Sequence, residues 1–146
     1  MKAKIARYVL IFSAVLLIAY SAMVIVDPSI ITHNLEQYAN VELENLDHKY
    51  DRMVDWIFKA MQNLGWFNII AGLVGFIAII KSFTMREPWI LSVIFISIII
   101  GYASPVTFDL RTGIIRWMEV IELVSFVGTL IAFIILFLDF RKQALS

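Results

Sequence analysis

The sequence predicts an all-α membrane protein: a four-transmembrane-helix bundle in which a long extracytoplasmic helical extension leads into the second span. Three observations predict it. The 146 residues are 61% hydrophobic and only 16% charged, against about 45–50% apolar in a soluble domain. A chain this short has too much surface to hide that excess from water. The charges avoid four long stretches, and the lysines and arginines gather beside alternate ends of them.

Each span follows from length and punctuation. Crossing roughly 30 Å of hydrocarbon takes about 20 mostly apolar helical residues. Tyr8–Val26 meets this without a charge and stops at Asp27-Pro28. The basic Met1–Arg7 and the small residues around Ala19–Ala22 also fit a signal peptide. The apolar run is long enough to span, so a retained first helix is expected. Leu64–Ile80 is the second span, slightly short alone but continuous with helical sequence before it. Trp89–Val106 is the third, introduced by Pro88 and expected to close near Ser104-Pro105, with a short loop over 105–113. Ile114–Leu138 is the fourth, preceded by Gly113. Helix is the expected backbone because an open sheet would leave unpaired polar edges in lipid. No repeat or linker divides the chain, which reads as one membrane domain over 1–146.

Charge sets the orientation. One side receives Lys2, Lys4, Arg7, Lys81, Arg86, Arg141 and Lys142, with only Glu87 and Asp139 for company. The other receives Asp27, Glu36, Glu42, Glu44, Asp47, Asp51, Asp55 and Asp109, with fewer bases. The positive-inside rule then puts both termini in the cytoplasm, and Trp66, Trp89 and Trp117 fall near span boundaries, where indole rings favour the interface. The expected location is a cell or cytoplasmic membrane.

The segment 34–63 is the largest outside the spans. Leu46, Tyr50, Met53, Ile57, Met61 and Leu64 recur at three or four residues, with Asp47, Asp51, Asp55 and Lys59 elsewhere on the wheel. That pattern is an amphipathic helix. Asn34 and Gln37 stand close to capping-box spacing, and no breaker separates the helix from the second span. One long helix rising out of the membrane is expected, with Asp55 and Lys59 as an i,i+4 pair.

Glu119 and Glu122 are the leading site candidates. Three residues apart, they share adjoining parts of one helix face. An ionised group at mid-membrane costs about 2.5–3.5 kcal/mol, so both should turn from lipid and be paired or protonated. Arg116, one turn from Glu119, and Asn68 on the second helix are the candidate partners. A polar stripe continues through Ser125 and Thr129. One reading is a proton- or cation-linked site, which intramembrane carboxylates often mark. The other is structural: Glu119 at the interface beside Arg116, and Glu122 bonded between helices. Asn68, Gly72 and Gly75 on helix two and Ser97, Gly101 and Ser104 on helix three fit close helix packing, and packing is the favoured explanation of that stripe.

Other chemistry finds little support. Glu44, His48 and Asp51 share one face of the outer helix, with His33 nearby, and carry ligand types suited to a divalent metal. The spacing matches no recognised metal signature, and no metal or cofactor is expected. The absence of cysteine excludes disulfides, thiolate metal sites and cysteine nucleophiles. Formal net charge is zero and no basic stripe is present, so nucleic acid is not an expected partner. No catalytic residue is assigned.

From Leu64 to Leu138 the layout resembles small DoxX-like four-helix membrane proteins. The points of likeness are Leu64-Gly65-Trp66-Phe67-Asn68 with Gly72 and Gly75, the basic turn Arg86-Glu87-Pro88, and the acidic opening of the fourth span. They cover about half the chain, and the long charged outer helix departs from the pattern. The resemblance implies a small subunit of a quinone-linked assembly and carries no site residue across. The expected function is an accessory or structural subunit of a larger membrane complex, with lipid, other membrane subunits or further copies of the chain as partners. The alternatives are a small oligomeric proton-linked transporter or channel using Glu122, and a membrane enzyme acting on lipid or quinone.

Overall fold

A computed structural model describes residues 2–27, 29, 36, 37, 40, 42, 50–85, 87–112 and 117–144, without the side chains of 103–112, 117–119, 143 and 144. Among the described residues four long helices and no strand are found: α1 (Lys2–Val26), α2 (Asp51–Lys81), α3 (Pro88–Thr112) and α4 (Trp117–Ala144). Three are long and apolar enough to cross a membrane: α1, α2 and the Val120–Lys142 part of α4. α3 is apolar over Pro88–Tyr102.

The helices form a ring. α1 and α3 occupy opposite corners, and each packs against both α2 and α4. Short connections make sequential helices antiparallel, and the turn from α2 to α3 takes only 82–87. There the Ser82 amide donates to the Ala78 and Ile79 carbonyls at 2.9 and 3.1 Å, and the Met85 amide to the Lys81 carbonyl at 2.8 Å. At the other end of α1, the Gln62 amide donates to the Ile25 carbonyl at 3.1 Å, closing an acceptor that a helix terminus otherwise leaves open. Asp27 Oδ1 accepts the Ser29 amide at 3.1 Å, turning the chain away from the helix.

Two glycines show why α1, α2 and α3 approach closely. A Cβ on Gly72 would lie 2.7 Å from Ile18 Cγ1 of α1, and one on Gly75 would lie 2.9 Å from Ser97 Cβ of α3. In lipid the hydrophobic effect does not drive helices together, so van der Waals contact over small residues does that work. The apolar core gathers Leu10, Ile79, Ile90, Ile94, Leu136 and Phe140 at the basic end of the bundle.

The outward surface is apolar, and several polar side chains are buried beside the apolar core. Arg7, Ser13, Ser21, Asn68, Ser97 and Thr129 are buried, while Phe12, Phe67, Ile70, Ile96, Val124 and Ile131 face outward. Water-soluble folds bury such apolar groups and expose the polar ones. Together with the spanning helices, this surface defines a membrane-integrated bundle.

Two element boundaries differ from expectation. α3 does not close at Ser104-Pro105 but stays helical to Thr112, so most of the expected 105–113 loop is helix. Proline at 105 removes one backbone donor, a loss that helices in membranes tolerate more readily than a break in the ladder. α2 does run unbroken from outer segment into span, and at 31 residues it measures about 46 Å. It begins at Asp51, however. Asn40 has a φ of 52°, a left-handed conformation that a continuous helix cannot contain. The expected onset near Asn34 and residues 43–49 lie outside the described residues. The Asp55–Lys59 pair forms at 2.7 Å with both side chains exposed.

Candidate functional site

Buried polar groups occur at three levels along the bundle. At the basic end, Arg7 of α1 is enclosed. Its Nε donates to Ser82 Oγ at 3.1 Å, and Nη2 stands 3.6 Å from Asp139 Oδ2 of α4. The guanidinium lies 5.3 Å from the centre of the Phe83 ring, a favourable cation–π placement. Ser82 Oγ passes its own proton to the Ile79 carbonyl at 2.6 Å. Arginine, carboxylate, hydroxyl and carbonyl are thus joined in one network.

At mid-bundle, the Tyr102 hydroxyl donates to the Ser13 carbonyl at 3.1 Å. Thr129 Oγ1 lies 2.6 Å from the Ser125 carbonyl and 2.7 Å from Ser13 Oγ. A hydroxyl has one proton. The carbonyl can only accept, so Thr129 donates to Ser125 and the Ser13 hydroxyl donates to Thr129. This cluster ties α1, α3 and α4 together beside a small cavity that also touches Gly72, Gly75 and Ser97.

The third level is built around Ser21 and Asn68, beside the half-buried Glu122. Glu122 lies within the apolar stretch of α4 and lines a second cavity with Asn68 and Gly65 of α2, Tyr20 and Ser21 of α1, and Gly101 of α3. The space suffices for a water molecule. All four helices contribute to it, and Leu17 separates it from the mid-bundle cavity. Ser21 is 1% exposed and Asn68 8%, yet Ser21 Oγ and Asn68 Oδ1 have no hydrogen-bond partner among the described residues. An unsatisfied buried polar atom costs about 1–3 kcal/mol, a cost that an occupant of the cavity would offset. The Tyr102 hydroxyl lies within electrostatic reach of Glu122, linking this level to the one above.

The structure therefore brings Glu122 and Asn68 together and joins Ser125 to Thr129. Glu119 lies on α4 with its side chain outside the described residues, and Arg116 falls outside them altogether. Of the metal-ligand candidates, Glu44 and His48 are also outside, while Asp51 is the exposed first residue of α2. Among the described residues no three histidine, aspartate or glutamate side chains cluster.

Sequence reasoning missed the contribution of α1. Ser13, Ser21 and Arg7 belong to the inward stripe Arg7, Leu10, Ser13, Ala14, Leu17, Ser21, Val24, whose three- or four-residue period is visible in the sequence. It also took Arg7 and Asp139 for flanking charges, when each is the other's partner. A basic residue early in the first helix and an acidic one late in the last, in an antiparallel pair, was the available signal.

Comparison with protein-family models, with curated proteins and with solved structures gives no match. The DoxX-like resemblance thus stays a reading of the sequence alone. Fold and site define the class, a polytopic α-helical membrane protein with polar groups buried in an apolar interior.

Proposed function

We propose that this chain is an accessory subunit of a larger membrane complex, with both termini on the cytoplasmic side. The observation that carries the reading is an exposed apolar stripe at the start of α2. Gln62 bonds the last turn of α1, so the eleven residues from Asp51 to Met61 project about 16 Å past it. Tyr50, Met53 and Trp56 form a stripe at i, i+3 and i+6, and all three are exposed, Trp56 at 69%. A helix that also carries Asp51, Arg52, Asp55 and Lys59 belongs in water, where an apolar stripe of this kind calls for a covering surface. Aromatic residues and methionine are the types enriched where proteins meet. The orientation rests on Lys2, Lys4, Lys81, Arg141 and Lys142, which share the end of the bundle that holds Arg7 and Asp139.

The test is native-gel migration and mass spectrometry after mild-detergent extraction from the source membrane. A defined assembly well above the 16.8 kDa of one chain is expected, reduced by Trp56→Ala with Met53→Ser. Migration as a lone chain in its own membrane extract ends this reading.

The convergence of Glu122, Asn68 and Ser21 on one cavity favours a second reading, a proton-linked transporter or channel. On that reading Glu122→Gln abolishes proton-driven flux in liposomes. Unchanged flux removes Glu122 from any such mechanism.

A further inference from the structure

We infer that the Glu122 cavity is a binding site for one small, dehydrated monovalent cation of the sodium class. The polar residues lining it offer oxygen ligands: Glu122 on α4, Asn68 on α2, and Ser21 and Tyr20 on α1. Hard cations are bound by carboxylate, carbonyl and amide oxygens. Asn68 Oδ1 accepts only, so it must meet either a donor hydrogen or a cation. Its lack of a partner among the described residues, repeated at Ser21 Oγ, is independent of the carboxylate and belongs to two residues that line the same cavity.

Charge and size narrow the ligand. Among the described residues Glu122 is the one carboxylate that lines the cavity, which suits one positive charge better than two, since divalent sites usually combine several carboxylates. The space is that of a single water-sized body, too small for a hydrated ion. Two glycines keep it so. A Cβ on Gly65 would stand 3.1 Å from the Ser21 carbonyl oxygen and 2.8 Å from Ile25 Cγ1, and one on Gly101 would stand 2.3 Å from Leu17 Cδ2. The helices therefore meet closely around the site, and the oxygens are held in place by packing. A bound cation also lowers the penalty of holding a carboxylate inside the span.

The inference extends the Glu122 reading but needs no transport, so binding and flux fail separately. The experiment is thermal unfolding of the purified full-length chain in detergent, in sodium chloride against choline chloride at equal ionic strength, alongside equilibrium retention of radioactive sodium. A saturable upward shift of the midpoint with sodium, weaker with potassium, is expected, together with at least a tenfold loss of retained sodium in Glu122→Gln. Ser21→Ala, a smaller change less apt to disturb folding, should weaken retention while leaving the gel-filtration profile intact. Identical midpoints in sodium and choline, with no sodium retained, make the occupant a water and overturn the inference. So does a Glu122→Gln protein that keeps the wild-type sodium response. Sodium binding without any flux in liposomes upholds the site and discards the transport reading.

Discussion

The two ends of the bundle treat buried polarity in opposite ways. At the Arg7 end a full positive charge is enclosed and answered by a carboxylate, a hydroxyl and an aromatic face. At the Glu122 end a carboxylate shares its cavity with two buried oxygens that have no partner among the described residues. The Arg7 network joins its groups by hydrogen bond and charge, although Nη2 meets Asp139 at ion-pair rather than hydrogen-bond distance, whereas the two oxygens at the other end carry a cost that something else must offset. The difference separates a structural charge from a binding one, although both stand on helices that the same small residues hold together.

The sharpest way to break that comparison is at Arg7. Arg7→Ala leaves Asp139 without its guanidinium, and severing one partner of a buried pair typically costs about 3–5 kcal/mol. Asp139 keeps a quarter of its side chain exposed, so the low end, about 3 kcal/mol, is expected. The double change Arg7→Met, Asp139→Leu should recover most of the loss, because apolar replacement of both partners is often close to neutral. Unfolding titrations in mixed micelles measure both. A double variant as unstable as the single one would show that the pair is more than a matched set of charges.

Packing gives the next largest effect. Gly75→Ala would set a methyl 2.9 Å from Ser97 Cβ, an atom fixed to the backbone, so the helices must part, at about 1–3 kcal/mol. Gly128→Ala on α4 meets nothing within 4 Å and should change stability by less than about 1 kcal/mol, in the stabilising direction by helix propensity. Equal losses at the two sites would mean that α2 and α3 are not in close contact.

How much of this was legible in the sequence depends on the kind of signal. The spans were legible because hydrocarbon thickness imposes a length that Tyr8–Val26 or Ile114–Leu138 meets on its own. The unbroken passage of α2 from outer segment into span was legible because nothing between Asp51 and Lys81 breaks a helix. The stop at Pro105 was misread because proline rules drawn from water-soluble helices overstate its cost where lipid penalises any open backbone. The meeting of Glu122 with Asn68 was legible as polar residues on separate spans. Ser21 and the Arg7–Asp139 pair were not, because a residue's role there depends on which helices become neighbours, and periodicity gives a face without naming what it faces.

The mid-bundle cluster lies between the two extremes and offers an intermediate effect. Thr129→Val removes the hydroxyl that joins Ser13 to the Ser125 carbonyl while keeping the side-chain shape. The Ser125 carbonyl retains its backbone environment and the Ser13 hydroxyl loses its acceptor, so a cost of about 1 kcal/mol is expected. Measured couplings of this kind between membrane helices run near that value or below it. A Ser13→Ala, Thr129→Val double variant should cost little more than the single one, since the two hydroxyls act as a unit.

The smallest stability change is expected at the Glu122 end, and its sign is what matters. Ser21→Ala removes a buried oxygen that has no partner among the described residues, so in choline it should leave stability unchanged or raise it by up to about 1 kcal/mol. In sodium the ranking should reverse, because the wild-type chain gains from the ligand and the variant gains less. A polar-to-apolar change thus destabilises at Thr129 under every condition but at Ser21 only when the cation is present. If Ser21→Ala is as damaging in choline as Thr129→Val, then Ser21 already has a partner inside the fold. The two ends of the bundle would then be built on the same principle.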